Sequence, residues 1–358
     1  MKGPRTVSIA DCITTLAGYD AILDARSPAE FAIDRLPEAV SAPVLDDAER
    51  AEVGTLHARE GAFAARRRGA ALVARNIGTL LETRFAAMPS DWRPLVYCWR
   101  GGNRSGALAL VLSRIGWRVD VLEGGYRAYR RQVVADLESL PQRHRFVVVA
   151  GRTGVGKSRL LGLLAERGLQ VLDLEGLAAH RGSVLGPIPG DPQPSQKAFE
   201  SGLWRRLRGY DDRRPIFVES ESRKIGRCQV PGSLIERMRA SECIVLTAST
   251  RFRTHLLREE YRHFLVDPGL LSTRLSALAP IHGKTRVAHW DSQARSGNWD
   301  ELVGELLAAH YDPAYDRSMA RNFLRLESAP SIVADADADP ASSLAAAADR
   351  IAALYPAA

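Results

Sequence analysis

Lysine is scarce in this chain of 358 residues. Of its 49 basic residues only Lys2, Lys157, Lys197, Lys224 and Lys284 are lysine, which leaves 44 arginines. A coding preference for arginine accounts for most of that bias. It also makes the remaining lysines informative, because a point-charge ammonium and a planar guanidinium serve phosphate differently. Cysteine is scarce too: Cys12, Cys98, Cys228 and Cys243 include no C-x-x-C pair. Neither a zinc site nor a dithiol redox motif is indicated, and four cysteines in so long a chain suggest no disulfide framework. A reducing, cytoplasmic setting is expected. No apolar run approaches the ~18 residues of a membrane helix, and Met1 to Asp11 holds no apolar secretion segment, so neither a membrane span nor a signal peptide is expected.

What is present is ordinary in bulk. Hydrophobic residues make up 46% and charged residues 25%, with enough chain for roughly two domains. The net charge of +7 suits a polyanionic partner without requiring one.

One stretch stands out, Val96-Tyr97-Cys98-Trp99-Arg100-Gly101-Gly102-Asn103-Arg104-Ser105-Gly106. A short apolar strand ends in a cysteine. A loop with two glycines and two arginines follows, and an apolar helix is expected over Ala107–Ile115. Loop N–H groups and a helix N-terminus stabilise negative charge on sulfur, so the pattern makes a thiolate. A buried core cysteine before a glycine turn is the plain alternative, but it has no use for the arginines.

Around that loop, strands are expected at Ala21–Arg26, within Leu36–Pro43, at Arg93–Cys98 and at Trp117–Leu122. Ser27 and Pro28 open a helix as cap and first residue. Asp46–Ala87 carries apolar residues at helical spacing. The alternation makes an α/β domain with a largely parallel sheet. A charged helix over Tyr126–Arg145 ends it, giving domains at 1–140 and 141–358.

The second domain opens on the strand Arg145–Ala150. It runs into Gly151-Arg152-Thr153-Gly154-Val155-Gly156-Lys157-Ser158, and a helix follows over Arg159–Arg167 with Gly168 after it. A G-x-x-x-x-G-K-S loop between a strand and a helix is a phosphate cradle. Its glycines turn backbone N–H groups inward, Lys157 reaches the phosphate oxygens, and Ser158 meets an oxygen or a metal. Further strands are expected at Leu169–Leu174, with Asp173 near its end, at Pro215–Val218, at Glu242–Thr247 and at Pro330–Ala334. Glu219 or Glu221 sits where P-loop folds place a metal-handling carboxylate, although strand-end caps look the same in sequence. His180-Arg181-Gly182-Ser183 could line a phosphate or RNA path. Arg251–Phe264 is read as one basic helix, either a solvated face or a polyanion contact. Asp335–Asp339 reads as an acidic turn and Ser342–Leu354 as a terminal helix. There is no internal repeat.

Together these residues carry a resemblance. Asp24-Ala25-Arg26-Ser27-Pro28-Ala29-Glu30-Phe31, the Cys98 loop and Glu123-Gly124-Gly125-Tyr126 resemble a rhodanese domain. The cysteine loop is similar to that of the bacterial tRNA 2-selenouridine synthases, which fuse a rhodanese domain to a P-loop domain in this order. Asp47–Thr55, His180–Ser183, Gln193–Gln196 and Glu219–Gly226 match the same family. Asn103 departs from it where a larger apolar residue is usual, and His57 where a tyrosine is.

The resemblance implies an N-terminal rhodanese-like parallel-sheet domain and a C-terminal P-loop NTPase-like α/β domain. It implies an enzyme acting on the wobble 2-thiouridine of tRNAs for Lys, Glu and Gln. Geranyl diphosphate first alkylates the sulfur, then selenophosphate supplies selenium. Cys98 is then the nucleophile, taking selenium as a Cys–S–Se⁻ adduct, with Arg100, Gly101, Gly102, Arg104 and Ser105 holding the anion. Gly151, Thr153, Gly154, Gly156, Lys157 and Ser158 bind the diphosphate. His180, Arg181, Ser183, Glu219, Glu221, Arg223 and Lys224 are candidates for substrate or tRNA contact. No firmly bound cofactor and no dedicated metal site are expected, and Mg2+ at the P-loop is left open. Three rivals remain at this level. Cys98-x5-Arg104 also fits cysteine phosphatases and arsenate reductases. The P-loop also fits an ATPase or kinase with a sulfur-carrier domain. A tRNA-binding regulator without chemistry is the third, and the intact Cys98 and Gly151–Ser158 loops speak against it.

Overall fold

The computed structural model describes residues 3–334 and 339–356. It divides into two compact units, Met1–Asp136 and Leu137–Ala358, and the division falls inside the helix Gly125–Arg143.

The first unit is built on a parallel sheet of five strands: β1 (Arg5–Val7), β2 (Ala21–Asp24), β3 (Ala39–Ser41), β4 (Pro94–Tyr97) and β5 (Asp120–Leu122), in the order β1-β5-β4-β2-β3. The central strand β4 is buried along its whole length. That is why Pro-Leu-Val-Tyr reads as an unbroken apolar run: helices cover both faces of a parallel sheet. Helix Pro28–Ile33 starts as expected, with Ser27 and Glu30 forming a capping box and Pro28 in the first turn. Helix Asp47–Arg59 uses the same device, with Asp46 and Glu49. Leu23, Val96, Leu108, Leu112 and Val121 join Ile77 and Phe85 in the core.

The second unit repeats the plan. Strands β6 (Phe146–Ala150), β7 (Gln170–Leu172) and β8 (Ile216–Glu219) are followed by a small antiparallel hairpin, β9 (Lys224–Ile225) and β10 (Cys228–Gln229). Strands β11 (Glu242–Thr247) and β12 (Ser331–Val333) complete a parallel sheet in the order β12-β11-β6-β8-β7. Between β11 and β12 runs a helical section with its own core, in which Leu271, Leu275, Trp290 and Leu302 are buried.

Three expectations change. The helix after Cys98 begins at Asn103, not Ala107, so half of the expected loop is helix. The strand from Leu169 stops at Leu172, because the Asp173 side chain accepts from Gly176 N at 2.7 Å and caps a helix over Leu174–Ala178. The basic segment is two helices, Thr250–Glu260 and Arg262–Val266, that meet at Tyr261. The acidic turn lies largely outside the described residues; Asp339 caps the terminal helix Pro340–Leu354. Asn103 and His57, the two departures from the family pattern, are both exposed, so neither displaces a core residue.

Candidate active sites

Cys98 follows the last residue of β4, and 4% of it is exposed. Burial pushes its thiol pKa up, but hydrogen bonds to the sulfur outweigh this and the net direction is down. The donors are the Ser105 hydroxyl, 3.1 Å from Sγ, and the backbone N–H groups of Ser105, Arg100 and Gly102. Ser105 lies in the first turn of helix Asn103–Ile115, so the helix N-terminus contributes its partial positive charge as well. The other three cysteines shift upward, with burial as the first cause.

The loop is held by the turn after β5. Tyr126 N donates to Cys98 O at 2.8 Å and Arg127 N to Trp99 O at 3.1 Å. Gly101 has φ +67°, and a Cβ there would lie 2.6 Å from Leu122 O, so only glycine fits. Trp99 stacks on Tyr126.

Beneath lies a buried polar network. Arg26, 1% exposed, pairs with Asp24 at 2.6 Å and donates to Asp34 O at 2.6 Å. Tyr97 donates to Asp24 at 2.6 Å and Tyr126 to Asp34 at 2.7 Å. The Arg26 guanidinium sits 4.0 Å from the Tyr126 ring centre. The Asp-Ala-Arg stretch therefore supports the cysteine loop through Tyr97 and Tyr126. Removing one partner of such a pair costs about 3–5 kcal/mol. Of the two loop arginines, Arg100 is exposed, whereas Arg104 is paired with Glu30 at 2.6 Å. Burial works against the Glu30 charge, but Arg104 and the Ser27 N–H hold the carboxyl below its usual range.

The second site surrounds the Gly151–Ser158 loop, between β6 and helix Lys157–Glu166. Gly154 and Gly156 have φ +83° and +91°. Lys157 Nζ donates to Gly151 O at 2.7 Å, and Ser158 Oγ donates to Glu175 at 2.9 Å. A cleft of about 820 Å³ opens over the loop. It brings Thr153, Gly154, Gly156, Lys157 and Ser158 together with His180, Arg181, Ser183 and Glu221. Glu219 stands behind it, 1% exposed, accepting from Glu175 N at 2.8 Å. Arg223 and Lys224 are exposed at the β9 hairpin and do not line the cleft.

Glu219 and Glu221 resist ionisation. Burial first, then Asp173 and Glu175, pushes Glu219 well up; burial and Glu175 push Glu221 up to about 8, opposed by Lys157. Among the described residues no three His, Cys, Asp or Glu side chains form a metal cage. Mg2+ does not need one, since it binds through one or two carboxylates plus substrate phosphates. Ser158, Glu175 and Glu221 supply the hard oxygen donors it takes, and Glu219 Oε2 is buried without a partner among the described residues.

His180 follows Ala179, which is left-handed at φ 47° and ends the helix Leu174–Ala178. Its Nδ1 is buried without a partner among the described residues, and burial pushes its pKa down, so the ring is neutral at pH 7. Arg181 donates to Glu260 O at 2.7 Å and packs over the Tyr261 ring.

Several supports carry no local sequence signal. Tyr315 accepts from Gly151 N at 2.5 Å, and its ring faces Lys157. Asp316 pairs with Arg152 at 2.7 Å. Asp312 pairs with Arg253 at 2.6 Å, and Arg253 also donates to Thr153 O at 2.8 Å. Arg253 is 3% exposed. This basic residue therefore braces the P-loop and belongs to neither a solvated face nor a polyanion contact.

A thiolate loop at the end of one central strand and a phosphate loop at the end of another define a rhodanese-like domain joined to a P-loop domain. Residues 11–132 match the family described as "Rhodanese-like domain", and residues 144–268 match "tRNA 2-selenouridine synthase AAA domain". A tRNA 2-selenouridine synthase of Alcanivorax borkumensis is 32% identical over 343 residues, covering 87% of this chain and 92% of that protein. One of Marinobacter nauticus is 32% identical, covering 84% and 88%. One of Bdellovibrio bacteriovorus is 36% identical, covering 67% and 64%. The chain belongs to the tRNA 2-selenouridine synthase family. Among the described residues no helix is long and apolar enough to cross a membrane.

Proposed function

We propose that the protein converts the wobble 2-thiouridine of tRNAs for Lys, Glu and Gln into 2-selenouridine, dividing the work between its two sites. The observation that carries this reading is the pairing, on one chain, of a thiolate loop with a phosphate cleft. In the cleft, Gly151–Ser158 and Lys157 hold the diphosphate of geranyl diphosphate. The uridine sulfur attacks the allylic carbon, the C–O bond breaks, and pyrophosphate leaves with its charge met by Lys157 and the loop N–H groups. Mg2+, held by Ser158 and a neighbouring carboxylate, would supply further charge neutralisation there.

Selenation takes place at Cys98. Electron counting decides which atom the thiolate attacks. Sulfur and selenium both start at the −2 level, so a Cys98–S–Se⁻ adduct forces phosphorus to leave reduced, as phosphite, unless an oxidant intervenes. Attack on phosphorus balances unaided. The S–P bond forms, the P–Se bond breaks with its electron pair on selenium, and hydroselenide leaves; water then frees phosphate from Cys98. Hydroselenide adds at C2 of the S-geranyl uridine, and the C2–S bond breaks to release geranylthiol. Arg100 and the loop N–H groups face the oxyanion, and Arg104 transfers from Glu30 to it. The five residues between Cys98 and Arg104 match the phosphatase spacing and favour this route.

Mass spectrometry of tRNA nucleosides after incubation with geranyl diphosphate, then selenophosphate, tests the reading. S-geranyl-2-thiouridine followed by 2-selenouridine is expected; nucleosides unchanged at both stages would reject it. Acid-quenched protein should carry a phosphoryl group on Cys98, and a selenium adduct instead would restore the other route.

A further inference from the structure

Next to the phosphate cleft lies a second cavity of opposite character, about 60 Å³ in volume. Leu257, Phe264, Leu271, Leu302, Val303 and Leu306 line it. The charged group on its wall, Arg258, is paired with Asp300 at 2.7 Å. The two cavities share Thr153, Leu257, Tyr261 and Tyr311, so the apolar pocket borders the phosphate loop at Thr153. At that border Ser183 holds both tyrosine hydroxyls: it lies 3.4 Å from the Tyr261 hydroxyl and also bonds that of Tyr311. The polar tips are thus tied at the seam. The backbone is shaped there too, because Leu307–Tyr311 is wound as π-helix between two α-helices. Such segments are uncommon and cluster at functional sites.

We infer that this pocket seats the far end of the hydrocarbon chain of an allylic diphosphate bound at Gly151–Ser158, and that Val303 and Leu306 set the chain length accepted. The inference rests on the reading of the P-loop as a prenyl diphosphate site. A nucleotide presents a base rich in hydrogen-bond donors and acceptors, and burying these against leucines without partners is costly. A slim alkenyl chain has no such groups and gains about fourfold in affinity per buried methylene. A phosphate cradle that shares part of its wall with a hydrocarbon slot therefore suits an amphiphilic phosphate ester.

Calorimetric binding to the full-length protein tests this, using inorganic pyrophosphate, the dimethylallyl, geranyl and farnesyl diphosphates, and ATP. Geranyl diphosphate, with five more carbons to bury, should bind on the order of a thousandfold more tightly than the dimethylallyl ester, by the same transfer argument. Val303→Trp should bring the geranyl ester down to the dimethylallyl level with pyrophosphate binding unchanged, which also shows that the variant is folded. Leu306→Ala should move preference toward the farnesyl ester. If geranyl diphosphate binds tightly and neither variant alters chain-length preference, the pocket assignment is overturned while the P-loop reading stands. If ATP binds and no prenyl diphosphate displaces it, the P-loop reading falls and the pocket assignment with it.

Discussion

The two loops make the same local construction for opposite purposes. Each follows the central strand of a five-stranded parallel sheet, β4 or β6, and each leads into a helix N-terminus. Both aim backbone N–H groups and helix charge at an anion site. In the first, the site is filled by the protein's own sulfur, since Cys98 directly follows the strand and three N–H groups and a hydroxyl converge on it. In the second, the loop is longer, Lys157 adds a mobile charge, and acidic side chains face the phosphate position. In the proposed division of work, one cradle makes a nucleophile and the other receives a leaving group. The difference lies in whether a thiol or an ammonium is placed beside the turn.

The most severe way to break that division is at Cys98. Cys98→Ser should abolish 2-selenouridine formation, by at least a thousandfold, while geranylated tRNA accumulates. Loss of both products in the nucleoside assay would mean that the two loops do not work separately. Lys157→Ala is the mirror experiment. Geranylation should fall about 10²–10³-fold, the usual loss for one electrostatic stabiliser, while selenation of supplied geranylated tRNA continues. If selenation falls equally, the P-loop serves both steps.

Asp24→Asn sharpens the structural side. It leaves the Arg26 charge buried without its partner and should cost about 3–5 kcal/mol of stability in denaturant titration. A neutral result would remove the network from its supporting role. Ser105→Ala is milder. It deletes one of the four groups that lower the Cys98 pKa, so the pH midpoint of iodoacetamide labelling should move up and labelling at pH 7 should slow several-fold. An unmoved midpoint would leave the backbone N–H groups as the sole cause.

The smallest effect belongs to the P-loop carboxylates. The folded pKa of Glu221 is raised to about 8. Between the ordinary carboxylate value and that point the unfolded chain loses a proton that the folded chain keeps, so stability should fall as pH rises across this window. Glu221→Gln should flatten that part of the profile of melting temperature against pH. An unchanged slope would assign it to Glu219, whose pKa is raised in the same direction.

Much of the fold was legible because its signals are local. Buried parallel strands are short apolar runs, Ser27-Pro28-Ala29-Glu30 writes out a capping box, and a G-x-x-x-x-G-K-S loop states its own conformation. Membership of the family followed from stretches that carry such motifs. The helix starting at Asn103 was misjudged because Asn-Arg-Ser-Gly has loop composition; the apolar stripe behind it decides the matter. Arg253 reads as one basic residue among six, and only its burial against Asp312 separates it from the rest. The apolar pocket had no signature, since leucines spaced along several helices look like any core until their packing leaves a gap.

Tyr315, Asp316 and Asp312 close the back of the phosphate loop from a helix (Asp312–Asn322) that begins more than 150 positions downstream. During synthesis the loop emerges first and waits for them. Newly made chains therefore hold an incomplete cradle until Asp312, Tyr315 and Asp316 have been added. A fragment that stops at the end of the recognised P-loop family segment would stay in that immature form.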